Sequence, residues 1–345
     1  MERNDGIKTD IQKGNLKFHN ALCSPFRIHG LIFENGQFRR IPESVAKATS
    51  QGVYDLHKHT AGGRVRFRTN SSYVAIHATM PSIGKMAHFA LTGSAGFDLY
   101  IRENEKERYY GTFMPPFRIL NGYEGIMDFG TREMREITIN FPLYSEVSNL
   151  WIGLEEDAQT EGPSSYAMET PIVYYGHSIT QGGCASRPGN AYPSILSRKY
   201  HCEYINLGFS GSAKGEPEIA RYISGLDMRL FVYDYDHNAP TEEHLEKTHE
   251  PMFRIIREAN PDLPIVIMTA TAMTHDTDTQ LRRKQIIYRT YGNALARGDR
   301  NVYFLDGMTC FDECGDGATV EGCHPNDLGF AFIAKTLDKL LMDLI

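Results

Sequence analysis

Residues 171–200, which read PIVYYGHSITQGGCASRPGNAYPSILSRKY, contain the pattern that decides the fold. The first five residues form a short apolar run of the kind that a buried parallel strand shows. A turn bounded by glycines follows, and residues 191–200 then have the spacing of an amphipathic helix. The stretch therefore predicts a strand, a tight turn and a helix in succession.

The same alternation continues to the C-terminus. Further strands are predicted at Tyr204–Leu207, Leu230–Tyr233, Ile265–Met268 and Val302–Leu305. Helices are predicted at Glu216–Ser224, Glu242–Glu258, Asp278–Arg297 and Leu328–Leu344. Strands that alternate with helices build a parallel sheet covered on both faces, with right-handed crossovers. In such α/β sheets, ligand sites form at the C-terminal ends of the strands.

The N-terminal half has a different rhythm. From about residue 30 to residue 155, short alternating runs are broken by Gly, Asn and Pro, as in RVRFR at residues 64–68. This spacing is typical of an antiparallel β-sandwich, and helical periodicity is nearly absent. The chain of 345 residues is long enough for two domains. We therefore predict a β-sandwich domain at 1–157, a linker at 158–170 and an α/β domain at 171–345.

Composition excludes several classes of protein. Apolar residues make up 41% of the chain and charged residues 23%, which is globular composition. The formal net charge of -7, with no basic patch, disfavours a nucleic-acid partner. The N-terminal residues form no apolar leader, and no later run has the length of a membrane span. We expect a cytoplasmic protein without a membrane partner; the sequence leaves open whether it forms a homo-oligomer.

The cysteines predict neither a disulfide framework nor a metal site. They are dispersed over the chain, at Cys23, Cys184, Cys202, Cys310, Cys314 and Cys323, so reduced thiols are expected. Cys310 and Cys314 are spaced like two ligands of structural zinc, but no second pair of ligands accompanies them. We predict no metal and no cofactor.

Four strand ends carry polar residues suited to chemistry. The first ends in YYGHSITQGG, which exposes Ser178 at a glycine-bracketed turn, although a lone serine there is often a helix N-cap. The second ends in INLGFSG, whose glycines permit close backbone approach. The third delivers Asn238, a residue type common in turns. The last connection places Glu321 and His324 three residues apart.

Taken jointly, these blocks resemble the SGNH/GDSL family of serine hydrolases. The resemblance rests on GHSITQGG, NLGFSG, the asparagine of DYDHNAP, and EGCHPND. GFDLY, at residues 96–100, resembles a motif of the β-sandwich domain that precedes some members of that family. The resemblance implies a flavodoxin-like, three-layer α/β/α hydrolase domain preceded by a jelly-roll-like, all-β sandwich.

The resemblance also implies roles for single residues. Ser178 would be the nucleophile, His324 its general base, and Glu321 the acid that orients the imidazole. The oxyanion hole would combine the backbone N–H groups of Ser178 and Gly211 with the side chain of Asn238. Gly211 matches the family loop because it lies five residues after Asn206, whereas Gly208 would serve backbone geometry.

Two positions depart from the family pattern. The family usually has an aspartate three residues before the histidine, where this chain has Glu321, so Asp316 is an alternative acid. His177 stands before the serine where an aspartate is common, and we interpret it as tolerated variation rather than as a second base.

Three functions remain open from the sequence. The leading one is hydrolysis of short acyl esters of a small molecule or an oligosaccharide, and the resemblance implies acetyl groups on a carbohydrate as the substrate class. The second is acyl transfer from the same acyl-enzyme to an alcohol, and the third is non-catalytic carbohydrate binding. We expect the β-sandwich to complete one wall of the cleft, with a polysaccharide-binding role as the alternative.

Overall fold

A five-stranded parallel sheet forms the centre of the C-terminal α/β unit. The computed structural model describes residues 7–272 and 277–345. Its strands are β13 (Met168–Gly176), β14 (Cys202–Gly208), β15 (Leu230–Asp234), β16 (Ile265–Met268) and β17 (Val302–Leu305). They lie in the order β14-β13-β15-β16-β17, with every neighbouring pair parallel. This is the flavodoxin-like order that the resemblance implies.

Helices cover both faces of this sheet. The helices of the α/β unit are α1 (Glu43–Thr49), α2 (Gln51–Leu56), α4 (Ser178–Gln181), α5 (Tyr192–Tyr200), α6 (Pro217–Ser224), α7 (Glu242–Ala259), α8 (Thr277–Ala296) and α9 (Asp327–Leu341). Val173 and Tyr175 of β13 belong to a core cluster with residues of α1, α2, α6, α7 and α8. Tyr174 points to the opposite face, where its ring contacts Tyr192 of α5 at 5.6 Å. Since successive side chains of a strand alternate between faces, the sheet is buried on both sides.

The N-terminal unit is an antiparallel sandwich. Its strands are β1 (Leu16–Asn20), β2 (Arg27–His29), β3 (Ile32–Glu34), β4 (Gln37–Arg39), β5 (Arg64–Thr69), β6 (Tyr73–Thr79), β7 (Phe97–Glu103), β8 (Lys106–Phe113), β9 (Gly122–Asp128), β10 (Arg135–Asn140), β11 (Asn149–Glu155) and β12 (Thr160–Glu161), with one short helix, α3 (Leu91–Ser94). One sheet has the order β1-β11-β6-β9; the other has β12-β5-β10-β7-β8, with β2 beside β5. Apolar side chains of both sheets, including Phe67, Ile76 and Ile139, form its core.

The fold class predicted from the sequence is confirmed, and so are the main strands and helices of the α/β unit. Two segments belong to a different unit from the one that the predicted domain boundaries gave them. Residues Ile41–His57, with α1 and α2, group with the α/β unit, and Ser186–Gly189 groups with the sandwich. Ala46 and Val53 are fully buried in the α/β core, which explains why these two short helices form in a stretch of sequence where helical periodicity is nearly absent.

The GFDLY motif binds the second of these segments, Ser186–Gly189, by a hydrogen bond. Asp98 of this motif is fully buried on β7, and its Oδ2 accepts a hydrogen bond from the backbone N–H of Gly189 at 2.8 Å. Thr92 Oγ1 donates to the carbonyl oxygen of Ser186 at 2.6 Å.

None of the helices in the described ranges is both long and apolar enough to cross a bilayer.

Candidate active site

Ser178 begins helix α4, directly after strand β13. The preceding residue, His177, is the N-cap, and its Nδ1 accepts a hydrogen bond from the backbone N–H of Ile179 at 3.2 Å. Glycine is required at the end of the strand, because a Cβ built on Gly176 would lie 2.1 Å from the carbonyl oxygen of Asp234. The serine is therefore not the helix cap but a half-buried residue at the C-terminal edge of the sheet.

The end of β14 holds the nucleophile turn in place. Gly176 is the parallel partner of Gly208. Asn206 Nδ2 donates to the carbonyl oxygen of Thr180 at 2.8 Å, and its Oδ1 accepts from the backbone N–H of Gly208 at 2.9 Å. A Cβ on Gly208 would lie 2.2 Å from the backbone nitrogen of Gln181. The absence of a side chain at Gly208 thus allows the end of β14 to lie against the backbone of helix α4, in keeping with the role in backbone geometry that the sequence indicated.

Gly211 and Asn238 lie on the loops that follow β14 and β15. Gly211 is exposed with φ +66°, a conformation that favours glycine, and its N–H makes no backbone hydrogen bond among the described residues. Asn238 Nδ2 donates to the carbonyl oxygen of Phe209 at 2.9 Å, which ties the two loops together. A carboxamide nitrogen carries two hydrogens, so one remains for a ligand.

His324 lies in a loop that is closed by its own hydrogen bonds. The backbone N–H of Val320 donates to the carbonyl oxygen of His324 at 2.8 Å, and Asn326 caps α9 through the N–H of Gly329. Glu321 Oε1 accepts from the backbone N–H of His324 at 2.9 Å and contacts its Nδ1 at 2.7 Å. One carboxylate therefore fixes both the loop and the ring.

The structure brings Ser178, His324 and Glu321 into one line of contacts. Ser178 Oγ lies 2.9 Å from His324 Nε2. Since a carboxylate only accepts hydrogen bonds, Glu321 assigns the proton to Nδ1 and leaves Nε2 free to accept from the serine hydroxyl. Asp316, the alternative acid, is exposed on a short 3-10 helix (Gly315–Ala318) and makes no side-chain hydrogen bond among the described residues.

A buried polar cluster lies behind the nucleophile turn. His177 Nε2 is 3.0 Å from Asp234 Oδ1, and both side chains are about 1% exposed. The ring of His177 meets the ring of His237 edge to face at 4.7 Å. Burial lowers the pKa of His177 to about 4 and that of His237 to about 3. Burial also raises the pKa of Asp234 and, with the charge of Asp234, that of Asp236.

Two groups of residues in the described part of this unit could offer three atoms to a metal. One is Glu321, Cys323 and His324, and the other is His177, Asp234 and Asp236. Neither group contains Cys310 or Cys314, the pair with ligand spacing in the sequence. The first group is a poor zinc site, since both ring nitrogens of His324 already have partners. Burial and the charge of Glu321 also raise the pKa of the Cys323 thiol to about 11.

Sequence reasoning missed Asp234, Asp236 and His237. All three lie in VYDYDHNAP, from which only Asn238 was selected. The available signal was three ionisable residues within four positions directly after a buried strand, because charges at a strand end are buried only when something compensates them.

Two family models match the chain. A model of the GDSL-like lipase/acylhydrolase family matches residues 169–342, and a model of the N-terminus of SGNH-hydro-type esterases matches residues 16–160. No curated protein gives a significant match.

Three solved structures share the fold over nearly the whole length of the chain. A protein of Bacteroides ovatus described as GDSL-like lipase is 26% identical, with a TM-score of 0.87 over 96% of this chain and 98% of that one. A salicylyl-acyltransferase from a tetracycline biosynthetic pathway is 19% identical, with a TM-score of 0.79 over 96% and 98%. An acetyl xylan esterase from the rumen bacterium Butyrivibrio proteoclasticus is 13% identical, with a TM-score of 0.60 over 95% and 98%.

Proposed function

The chain belongs to the GDSL-like lipase/acylhydrolase family, and we propose that it is a serine esterase that hydrolyses short acyl esters, above all acetyl esters of carbohydrates. One observation carries this proposal: Ser178 Oγ, His324 and Glu321 form a continuous chain of contacts of 2.9 and 2.7 Å. A serine hydroxyl is a weak nucleophile by itself, and a neighbouring base that is oriented by a third group activates it.

Acylation begins when Ser178 Oγ attacks the carbonyl carbon of the ester. The hydroxyl proton passes to His324 Nε2, so the imidazole becomes a cation while the carbonyl oxygen becomes an oxyanion. Glu321 stabilises that cation at Nδ1. Collapse of the tetrahedral intermediate expels the alcohol, which takes the proton from Nε2, and leaves the acyl group on the serine.

Deacylation repeats these steps with water. His324 Nε2 removes a proton from the water molecule that attacks the acyl-enzyme, and the same proton then returns to Ser178 Oγ as the carboxylic acid leaves. The histidine side chain is about 25% exposed. A water molecule could therefore approach its Nε2 from the solvent side.

Charge develops on the substrate oxygen in both steps. We assign its stabilisation to the N–H groups of Ser178 and Gly211 and to the second amide hydrogen of Asn238. Two observations support this assignment: the N–H of Gly211 makes no backbone hydrogen bond among the described residues, and Asn238 is anchored through only one of its hydrogens. Removing one such donor typically costs roughly 10²–10³ in kcat.

Two observations support the proposed substrate class. The acetyl xylan esterase described above shares the fold, and the net charge of -7 disfavours a polyanionic substrate. Neutral, acetylated oligosaccharides fit both statements. No metal or cofactor takes part in the proposed reaction.

A substrate screen tests this function. Aryl esters with acyl chains of increasing length and acetylated oligosaccharides should be offered to the wild type and to Ser178→Ala. We expect release of acetate by the wild type alone, with turnover falling as the acyl chain lengthens. A product acylated on an added alcohol, in place of free acid, would show an acyltransferase. Oligosaccharide binding without turnover of any ester would show a non-catalytic binding protein.

A further inference from the structure

His177 touches both turns that carry the proposed chemistry. Its backbone N–H donates to the carbonyl oxygen of Asp234 at 3.1 Å, and its Nδ1 accepts from the N–H of Ile179 at 3.2 Å. The first contact joins the end of β13 to the end of β15, and the second caps helix α4. These two contacts therefore fix His177 between the end of strand β15 and the turn that carries Ser178.

The far side of the ring faces Asp234. Because Nδ1 accepts a hydrogen bond, the proton of the neutral ring belongs on Nε2, which lies 3.0 Å from Asp234 Oδ1. This contact is close but not collinear, and neither atom has an aligned hydrogen-bond partner among the described residues. The other carboxylate oxygen accepts from Thr180 Oγ1, on the nucleophile helix, at 3.3 Å. Asp234 thus contacts the nucleophile turn on both sides of Ser178.

The edge of the ring reaches the turn that presents Asn238. His177 packs edge to face against His237, which immediately precedes Asn238. Asp236 holds this second turn, since its Oδ1 accepts from the N–H of His237 at 2.9 Å and its Oδ2 from the N–H of Ala270 at 3.0 Å. Movement of the His177 ring would consequently shift the nucleophile and the asparagine relative to each other.

We propose that His177 is a positioning residue, whose Nε2 contact with Asp234 and edge contact with His237 hold Ser178 and Asn238 in the relative placement that the tetrahedral intermediate needs. This inference rests on the esterase function proposed above. It gives His177 no part in proton transfer, because Nδ1 accepts a hydrogen bond from the N–H of Ile179 and Nε2 lies 3.0 Å from Asp234 Oδ1.

Three substitutions separate the two nitrogens of the ring. His177→Gln can place an amide N–H near Asp234 but loses the cap, since the Gln amide nitrogen takes the place of Nε2. His177→Asn keeps an oxygen near the position of Nδ1 and loses the reach to Asp234. His177→Phe keeps the shape and loses both contacts. If the Nε2 contact positions the turns, we expect Asn and Phe to lower kcat by roughly 10–100-fold with KM within about threefold, whereas Gln stays within about fivefold of wild type.

His249→Phe is the matched control. His249 is also a buried histidine, but it lies on α7 and its Nδ1 contacts Thr290 Oγ1 at 2.8 Å. Both Phe variants should lower the melting temperature by a similar amount, and only His177→Phe should lower kcat. Equal kcat losses in the two variants, or equal losses in His177→Gln and His177→Asn, would overturn the inference.

Two further results keep the outcomes apart. Elemental analysis of the wild type should find no stoichiometric metal; one equivalent that disappears in Asp234→Asn would overturn the inference by making the His177–Asp234 contact a ligand pair. If the His177 variants match wild type while Ser178→Ala is inactive, the inference fails and the esterase function stands. If Ser178→Ala is active, the esterase mechanism itself fails.

Discussion

Glu321→Gln removes the charge that the proposed mechanism places next to the imidazolium, while it keeps nearly the same side-chain shape. Glu321 Oε1 lies 2.7 Å from His324 Nδ1 and also accepts from the backbone N–H of that residue at 2.9 Å. A neutral amide oxygen can still accept one of these hydrogen bonds, so the loop should remain folded. The loss should therefore appear in kcat and not in the melting temperature.

The size of the effect follows from the charge pair. Two unit charges about 4 Å apart attract by about 4 kcal/mol at an effective dielectric constant of about 20. At about 1.4 kcal/mol per factor of ten, this corresponds to about three powers of ten in rate. Glu321 and His324 are 39% and 25% exposed, and solvent screening reduces the attraction. We expect kcat to fall by roughly two to three powers of ten.

Steady-state hydrolysis of an aryl acetate measures this loss, and Asp316→Asn is the control. Asp316 is exposed and has no side-chain hydrogen bond among the described residues, so its substitution should leave kcat within about twofold. A large loss in Asp316→Asn with a small one in Glu321→Gln would refute the reasoning and transfer the role to Asp316. Two small losses would mean that Ser178 and His324 act as a dyad.

Three other outcomes are expected. Chelation with EDTA should leave esterase activity intact, because the nucleophile is activated by an imidazole; a loss of activity that zinc restores would contradict this. Gly208→Ala should sharply lower activity and stability, since its Cβ would lie 2.2 Å from the backbone nitrogen of Gln181, whereas Gly292→Ala on α8, with no atom within 4 Å, should stabilise the protein by about 0.5–1 kcal/mol in denaturant titrations. Burial lowers the pKa of His249 to about 3, whereas the same side chain in the unfolded protein has a pKa of about 6.5. As the pH falls below about 6.5, the unfolded state therefore binds a proton on His249 that the folded state does not, and the free energy of unfolding should decrease. His249→Phe should remove about 2 kcal/mol of this decrease between pH 7 and 5. An unchanged pH slope in that variant would show that His249 is not buried in its neutral form.

The sequence predicted the α/β unit well because its strands are short apolar runs with regular spacing. The predicted strand at 302–305 matches β17 residue for residue, and the predicted helix at Glu242–Glu258 ends one residue before α7 does. The four strand ends were also readable, since the C-terminal edge of a parallel sheet collects whatever side chains follow its strands.

Other features depend on contacts between distant segments. The helices α1 and α2 owe their stability to Ala46 and Val53, whose burial in the α/β core is a tertiary effect that a local pattern does not show. The exposure of side chains on β8, the last strand of its sheet, is likewise not visible in a local pattern: Tyr109 and Tyr110 are 45% and 42% exposed, whereas Phe113 is buried.

The site shows the same division. Residue spacing alone left Glu321 and Asp316 as alternative acids, and only the folded loop brings the glutamate to the ring of His324. His177 was interpreted as tolerated variation because its partner Asp234 is 57 residues away in sequence and joins it only through the pairing of β13 with β15. The partner of a buried ionisable residue can therefore be identified only once the pairing of the strands is known.

The central claim is that Ser178 forms an acyl-enzyme with His324 as its base. Mass spectrometry of the intact protein after treatment with a serine-directed phosphonate tests it most directly, with peptide mapping to locate the adduct and Ser178→Ala as the paired variant. We predict one adduct on Ser178, none in the variant, and a fall of about three or more powers of ten in the turnover of Ser178→Ala. An adduct on another residue, or a variant that keeps more than about a tenth of wild-type turnover, would contradict the account.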